Sequence, residues 1–215
     1  MPYLRLAVLS AALIAASPLA FAQDSATTGA RVSIVGSATQ VEPTQNTWTG
    51  DGQRIKAAGD LTPTLGVTWH VNDNIGVEAW GAVTPASHRV TGNAGQSKLG
   101  NIDSQPYALS GQYQFGAPGK TLRPFVGLGY YEQNYDGEQA ATSGPLAGQR
   151  IGVDTARGAM ATVGVDANIS QRWFARADAR YLYETNDPKV RIDGVQAADA
   201  SFAPVLVGVG VGMRF

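Results

Sequence analysis

The chain contains 215 residues and carries a formal net charge of −1 at pH 7, so charge gives no reason to propose nucleic acid as a partner. It has no cysteine, which excludes disulfides, thiolate nucleophiles and cysteine-ligated metals. Charged residues make up only 15% of the chain and glycines number 26, a composition that suits strands facing lipid on one side and a polar interior on the other.

The N-terminal segment has the pattern of a secretory signal. Arg5 provides a positive start, residues 6–16 are apolar, and Ala20-Phe21-Ala22 offers a small-residue cleavage site. The apolar run of about a dozen residues is shorter than the roughly 20 that a spanning helix needs. We therefore predict that residues 1–22 are a cleaved signal peptide and that residues 23–215 form a single exported domain.

Apolar and polar residues alternate with period 2 through the rest of the chain, which predicts strands. In the last segment, valines at 205, 207, 209 and 211 share a face with Met213 and Phe215, and small or charged residues occupy the other face. About ten residues is the length that a tilted strand needs to cross a bilayer. About eight such strands are predicted, around residues 31–38, 64–71, 75–83, 107–115, 125–131, 159–169, 174–184 and 205–215.

The connections alternate between short and long. Short joins are predicted at 72–74, 116–123 and 170–172, and long polar ones around 41–60, 85–103, 137–154 and 186–202. This asymmetry is typical of outer-membrane barrels, with short periplasmic turns and longer extracellular loops. The predicted fold class is therefore all-β, an eight-stranded antiparallel transmembrane up-and-down β-barrel in a Gram-negative outer membrane. Closure pairs the first strand with the last, which predicts that both termini are periplasmic.

The side chains predicted to face inward differ between the two halves of the barrel. In the periplasmic half they carry both charges, and we expect them to pair across the lumen as a polar plug. The polar plug is predicted from Arg31, His70, Asp166, Arg176, Asp178 and Arg214.

In the extracellular half, the inward positions are mostly apolar. They form a predicted apolar cup of Trp80, Ala108, Met160, Leu182 and Leu206. Two interpretations stand equally: ordinary packing of an enclosed space, or a pocket that binds small hydrophobic molecules. A wide porin channel is excluded, because eight strands leave an interior that side chains fill.

Several runs of the sequence resemble one family. Asn72-Asp73-Asn74-Ile75-Gly76-Val77-Glu78 followed by Thr84-Pro85 is similar to the first periplasmic turn and third strand of the OmpW family. The run from Arg123 to Tyr130, Gly164-Val165-Asp166 with Trp173, and the terminal Gly212-Met213-Arg214-Phe215 resemble further segments of that family, in the same order.

The resemblance implies a barrel that lets small hydrophobic compounds cross the lipopolysaccharide layer, entering an apolar lumen and leaving sideways through the wall. Pro63, Pro106 and Pro204 lack an N–H for the strand ladder and are candidates for interrupting it there, although each also suits the start of a strand. The expected partners are outer-membrane lipid and lipopolysaccharide, small hydrophobic solutes, and the barrel-assembly machinery through the strand ending in Phe215.

Other functions have less support in the sequence. Only two histidines are present, His70 and His88, and neither lies in a nucleophile–base–acid grouping or at metal-ligand spacing, so we expect no catalytic residues, no metal and no cofactor. The alternative function is a structural, adhesive or receptor barrel that acts through its extracellular loops.

Overall fold

The computed structural model describes residues 30–42, 47–48, 54–57, 60–92, 97–140, 148, 151–186, 188–192, 195–199 and 204–215. The predicted signal peptide at residues 1–22 lies outside these ranges. Within them, no helix is long and apolar enough to cross a membrane. The regular elements in these ranges are β1 (Val32–Glu42), β2 (Thr47–Trp48), β3 (Arg54–Ala57), β4 (Asp60–His70), β5 (Ile75–Ala82), β6 (Ala86–Gly92), β7 (Ser97–Gln114), β8 (Leu122–Ala140), β9 (Ile151–Val153), β10 (Ala156–Asn168), β11 (Trp173–Glu184), β12 (Lys189–Ile192), β13 (Val195–Asp199) and β14 (Val205–Arg214).

Eight of these described strands form a closed antiparallel barrel in the order β1, β4, β5, β7, β8, β10, β11 and β14. The ring closes where β1 pairs with β14, and Val32 and Phe215 exchange backbone hydrogen bonds of 3.3 and 2.8 Å. Closure leaves no strand edge exposed to hydrocarbon, where unpaired backbone groups cost several kcal/mol each. The predicted fold class is confirmed.

The outer face of the barrel is apolar, as the alternation predicted. Leu128, Val163 and Val209 are 75%, 59% and 61% exposed, so these large hydrophobic side chains point away from the lumen. Exposed aromatic side chains border this band on both sides, with Trp69, Tyr113, Phe115, Trp173 and Phe215 on one side and Tyr130, Tyr181 and Tyr183 on the other. Aromatic girdles at these positions are typical of barrels in lipid.

Tight turns lie at one end of the barrel, here called the turn end. The Asn72 side-chain oxygen accepts hydrogen bonds from the N–H groups of Asn74 and Ile75 at 2.9 and 2.8 Å. In the same way, the Ser170 hydroxyl oxygen accepts a hydrogen bond from the N–H group of Trp173 at 3.0 Å. These short polar side chains satisfy the turn backbone locally, so the strands reverse within a few residues. The ends of β1 and β14 meet at this same end.

The opposite end, here called the loop end, contains more strand than the sequence predicted. The predicted loop at 85–103 contains β6 and the start of β7, and β8 continues to Ala140. Strands β9, β12 and β13 form a separate small sheet there. Periodicity missed these extensions because hairpins beyond the hydrocarbon band have no lipid-facing side to keep apolar.

Candidate functional site

A network of buried charges fills the lumen on the turn-end side. Arg176 is at its centre and donates from Nε and Nη2 to the two carboxylate oxygens of Asp166, at 2.7 and 2.9 Å. Its Nη1 donates to Glu78 at 3.0 Å. The Arg176, Asp166 and Glu78 side chains are at most 1% exposed, so these contacts are shielded from water. Bidentate arginine–carboxylate pairing of this kind is both strong and geometrically specific.

Glu78 links this centre to a second arginine. Its other carboxylate oxygen accepts from Arg180 Nη1 at 2.7 Å, and Arg180 Nε donates to Asp178 at 2.8 Å. Arg214 lies at the edge, 3.7 Å from Asp166, and donates to Asn168 at 2.7 Å. The charged network therefore holds three carboxylates and three guanidinium groups, Glu78, Asp166, Asp178, Arg176, Arg180 and Arg214, and is formally neutral.

Two buried phenylalanine rings support the guanidinium groups. Arg176 lies over the Phe125 ring at 4.4 Å, and Arg214 lies over the Phe174 ring at 4.1 Å. Each ring covers a glycine directly across the strand pair, Gly164 for Phe125 and Gly212 for Phe174. A side chain at either glycine would meet the ring. The small residues on the inner face therefore make the space in which the charges are stacked and held.

Replacing Gly164 with alanine is expected to destabilise the barrel by about 1–3 kcal/mol, the usual cost of overpacking. The added Cβ would lie 2.5 Å from the Phe125 ring and 2.8 Å from the Ala177 carbonyl oxygen, so the ring beneath Arg176 must move. Urea unfolding in lipid vesicles measures the effect. The matched control is Gly111→Ala, since nothing lies within 4 Å of a Cβ at that lipid-facing position. Equal unfolding free energies for the two variants would contradict this account.

Only some of the residues predicted for the polar plug lie in the charged network. Asp166, Arg176, Asp178 and Arg214 belong to the charged network. The prediction for Arg31 is wrong, because its side chain is exposed at the turn end, just before β1 begins. His70 also lies outside the network; its Nε2 is 3.0 Å from the Ser33 hydroxyl, near the turn end.

Two members of the network, Glu78 and Arg180, were missing from the predicted plug. Both have the inward parity that the alternation of β5 and β11 indicates, and that parity was the available signal. Their heights in the lumen depend on strand tilt and register, which pair Glu78 with Ser110 on one side and Thr68 on the other. Parity alone does not bring β5 and β11 together across the lumen.

An apolar cluster fills the lumen on the loop-end side. It contains all five residues of the predicted apolar cup, together with Val41 and Tyr131, which the sequence analysis missed. Its members are at most 8% exposed, and Tyr131 and Leu182 are fully buried. Each comes from a different barrel strand, β1, β5, β7, β8, β10, β11 and β14, so the cluster forms a nearly complete layer. The eighth strand, β4, contributes Thr62 and Thr64 to the buried inner surface.

Trp80 joins the two halves of the lumen. Its side chain belongs to the apolar cluster, and the Arg180 guanidinium lies over its ring at 4.5 Å. The apolar cluster therefore rests directly on the charged network, whose pairs close the lumen below it.

The barrel wall is irregular beside the apolar cluster, between β5 and β6. Both strands pair with β7, where Gly81 lies opposite Tyr107 and Ala86 lies opposite Ser104. The chain from β5 to β6 advances five residues between these two pairs and β7 advances only three, so two residues are in excess. Side chains supply part of the bonding here: Gln105 donates to the Ala82 carbonyl at 3.1 Å, and Thr62 donates to the Thr84 carbonyl at 3.0 Å.

Two of the three predicted prolines border this wall irregularity. Pro106 lies opposite its extra residues, and the carbonyl of Pro63 accepts from Val83 N–H at 2.9 Å. Pro204 does not border the wall irregularity. It precedes β14, and its carbonyl accepts a hydrogen bond from Leu182 N–H at 3.1 Å, which continues the β11–β14 ladder.

Comparison with known proteins identifies the family. A sequence model of the OmpW family matches residues 26–215. Outer membrane protein W of Vibrio cholerae is 30% identical over 160 residues, covering 70% of this chain and 73% of that protein. The crystal structure of the outer membrane protein OprG from Pseudomonas aeruginosa superimposes with a TM-score of 0.76 at 22% identity, covering 88% of this chain and 99% of OprG. The solution structure of Escherichia coli outer membrane protein W gives a TM-score of 0.55 at 24% identity, covering 86% and 98%. The chain belongs to the OmpW family and is a β-barrel protein of the Gram-negative outer membrane.

Proposed function

We propose that this barrel mediates passive passage of small hydrophobic molecules across the outer membrane. Solutes enter the apolar cluster from the loop end, which faces the cell exterior. The turn end faces the periplasm, and so do the N- and C-termini of the barrel. The apolar side chains on the outer face contact membrane lipid and lipopolysaccharide. The C-terminal segment, which ends in Phe215, is recognised by the barrel-assembly machinery. The protein carries out no catalysis.

One observation carries this proposal: apolar side chains from seven strands meet in one buried layer directly above a neutral charged network. An apolar solute exchanges contacts with Met160, Leu182 and Leu206 at little cost, because they offer no polar group that must be desolvated. The charged network excludes the same solute. An apolar molecule that separated Arg176 from Asp166 would offer neither charge a new partner, and both would be left buried and unpaired. Transfer straight down the lumen is therefore blocked.

The wall irregularity supports a sideways exit. It lies beside β4, the barrel strand whose inward residues at this half are threonines. Two side-chain bonds and the single backbone bond from Val83 to Pro63 connect it to its neighbours, fewer than a regular ladder would supply. Widening the separation between Thr62 and Thr84 would let a solute pass from the apolar cluster into the hydrocarbon outside. In this scheme the solute never meets the charged network.

Uptake measured in proteoliposomes with lipopolysaccharide in the outer leaflet tests the proposal. An apolar solute such as octane is expected to enter barrel-containing vesicles faster than barrel-free ones, and a hydrophilic sugar is not. Equal rates for the apolar solute with and without the barrel would favour the loop-mediated alternative.

The same assay tests the exit route. The chain has no cysteine, so Thr62→Cys with Thr84→Cys adds the sole thiol pair. Oxidation is expected to join β4 to the connection between β5 and β6 and to slow uptake, and a reductant is expected to restore it. The single Thr62→Cys variant, treated with the same oxidant, is the matched control. Unchanged uptake in the cross-linked double variant would remove the wall irregularity from the mechanism.

A further inference from the structure

A cavity opens at the turn end, on the far side of the charged network from the apolar cluster. Its volume is about 820 Å³, and its walls are the tight turns, the two residues before β1, and the ends of β4, β5, β7, β8, β10 and β14. Three arginines line it, Arg31, Arg123 and Arg214, against one acidic residue, Asp73. The lining therefore carries an excess of positive charge, with His70 and Asn168 as further polar neighbours.

Arg123 holds a buried charge without a carboxylate partner at hydrogen-bond distance. Its residue is 3% exposed, and its Nη2 donates only to turn carbonyls, those of Asp73 and, at 3.3 Å, Gly116. Its Nε is buried and makes no hydrogen bond. Carbonyl groups fix the orientation of the guanidinium, and Asp166 and Asp73 compensate its charge only by attraction at longer range.

Arg214 is only weakly compensated. The nearest carboxylate, Asp166, is 3.7 Å from its Nη2 and is already held by Arg176 at 2.7 and 2.9 Å and by Gln114 at 3.1 Å. Nη2 of Arg214 is buried and makes no hydrogen bond of its own. One carboxylate therefore serves two guanidinium groups, and one donor of Arg214 is left without a hydrogen bond.

We propose that this turn-end cavity binds a small oxyanion, the phosphate or carboxylate group of a periplasmic solute, between Arg123 and Arg214, with Arg31 at the rim. An oxyanion there neutralises the excess positive charge of the lining and accepts charge-assisted hydrogen bonds from its guanidinium groups. The site is separate from the apolar cluster, so it stands whether or not hydrophobic solutes pass through the barrel.

Titration of the mature barrel in a neutral detergent, followed by amide NMR, tests the site. Inorganic phosphate and succinate are added separately at constant ionic strength, with chloride as the reference for screening. Amides of Asn72, Gly119 and Ser170 at the turn end are expected to shift with saturation, and amides of β8 near Tyr131 are not. Binding of phosphate alone identifies a phosphate site, and binding of both identifies a general oxyanion site. Turn-end shifts no larger than those with chloride overturn the proposal.

Variants distinguish the cavity from general surface charge. Arg123→Gln is expected to weaken binding about tenfold or more, as loss of a charged hydrogen-bond donor does. Arg31→Gln is expected to weaken it a few-fold, and because Arg31 is exposed this variant keeps the fold intact. The matched control, Arg172→Gln, removes the same charge from an exposed turn residue that does not line the cavity, and is expected to leave affinity unchanged. Wild-type affinity in both cavity variants would also overturn the proposal.

Discussion

The Glu78→Gln variant is expected to lose about 3–5 kcal/mol of unfolding free energy, the largest stability effect that we predict for a single residue. Glu78 is fully buried and accepts hydrogen bonds from both Arg176 and Arg180. Glutamine keeps the size but is neutral, and its amide nitrogen would face a guanidinium donor. The network would then hold three guanidinium groups and only two carboxylates, with no water to screen the excess charge. Urea unfolding in vesicles and heat-dependent gel migration measure the loss.

Two further variants show whether charge is the cause. Glu42→Gln makes the same chemical change on an exposed side chain whose bond is to Gln40, and it is expected to alter stability by less than about 0.5 kcal/mol. The double variant Glu78→Gln with Arg180→Gln restores neutrality and is expected to recover part of the loss. A double variant whose destabilisation equals the sum of the two single losses would show that the pair is not coupled.

The largest functional effect is expected for Leu206→Glu, which should slow uptake of an apolar solute about tenfold while the barrel still folds. Leu206 is 1% exposed in the apolar cluster and lies directly across the strand pair from Arg180. A carboxylate here can approach that guanidinium, so the fold tolerates the charge. A solute entering the cluster would then meet a charged group in place of an alkyl one, and a tenfold slower passage corresponds to about 1.4 kcal/mol.

Leu206→Met is the matched control for this variant. It conserves volume and apolarity and is expected to retain uptake. Heat-dependent gel migration reports that each variant is folded before transport is measured. Full uptake by a folded Leu206→Glu barrel would show that solutes do not pass through the apolar cluster.

The sequence predicted the barrel, and it also placed five apolar side chains together in the loop-end half of the lumen, for a physical reason. Lipid imposes period 2 on every strand that crosses the hydrocarbon, so parity separates inward from outward side chains. Trp80, Ala108, Met160, Leu182 and Leu206 meet because neighbouring strands place them at similar heights.

The charged network was harder to predict, because its pairs span the lumen. Arg176 and Glu78 are 98 positions apart in the chain and come from strands that are not neighbours. Arg31 has the inward parity of β1 but precedes the strand, where solvent is within reach. The turn-end cavity needed the structure as well, since it depends on which donors of Arg123 the turn carbonyls leave unused.

The two surplus residues between Gly81 and Ala86 have a consequence for insertions and deletions at this point. Because side chains alternate, an even surplus returns the chain to its original orientation, and Ala86 is buried, as Ala82 is. A single inserted residue would instead turn every later side chain of the hairpin over. Adding or removing two residues in this stretch would therefore change the size of the wall irregularity and keep the inward and outward faces of the strands on either side.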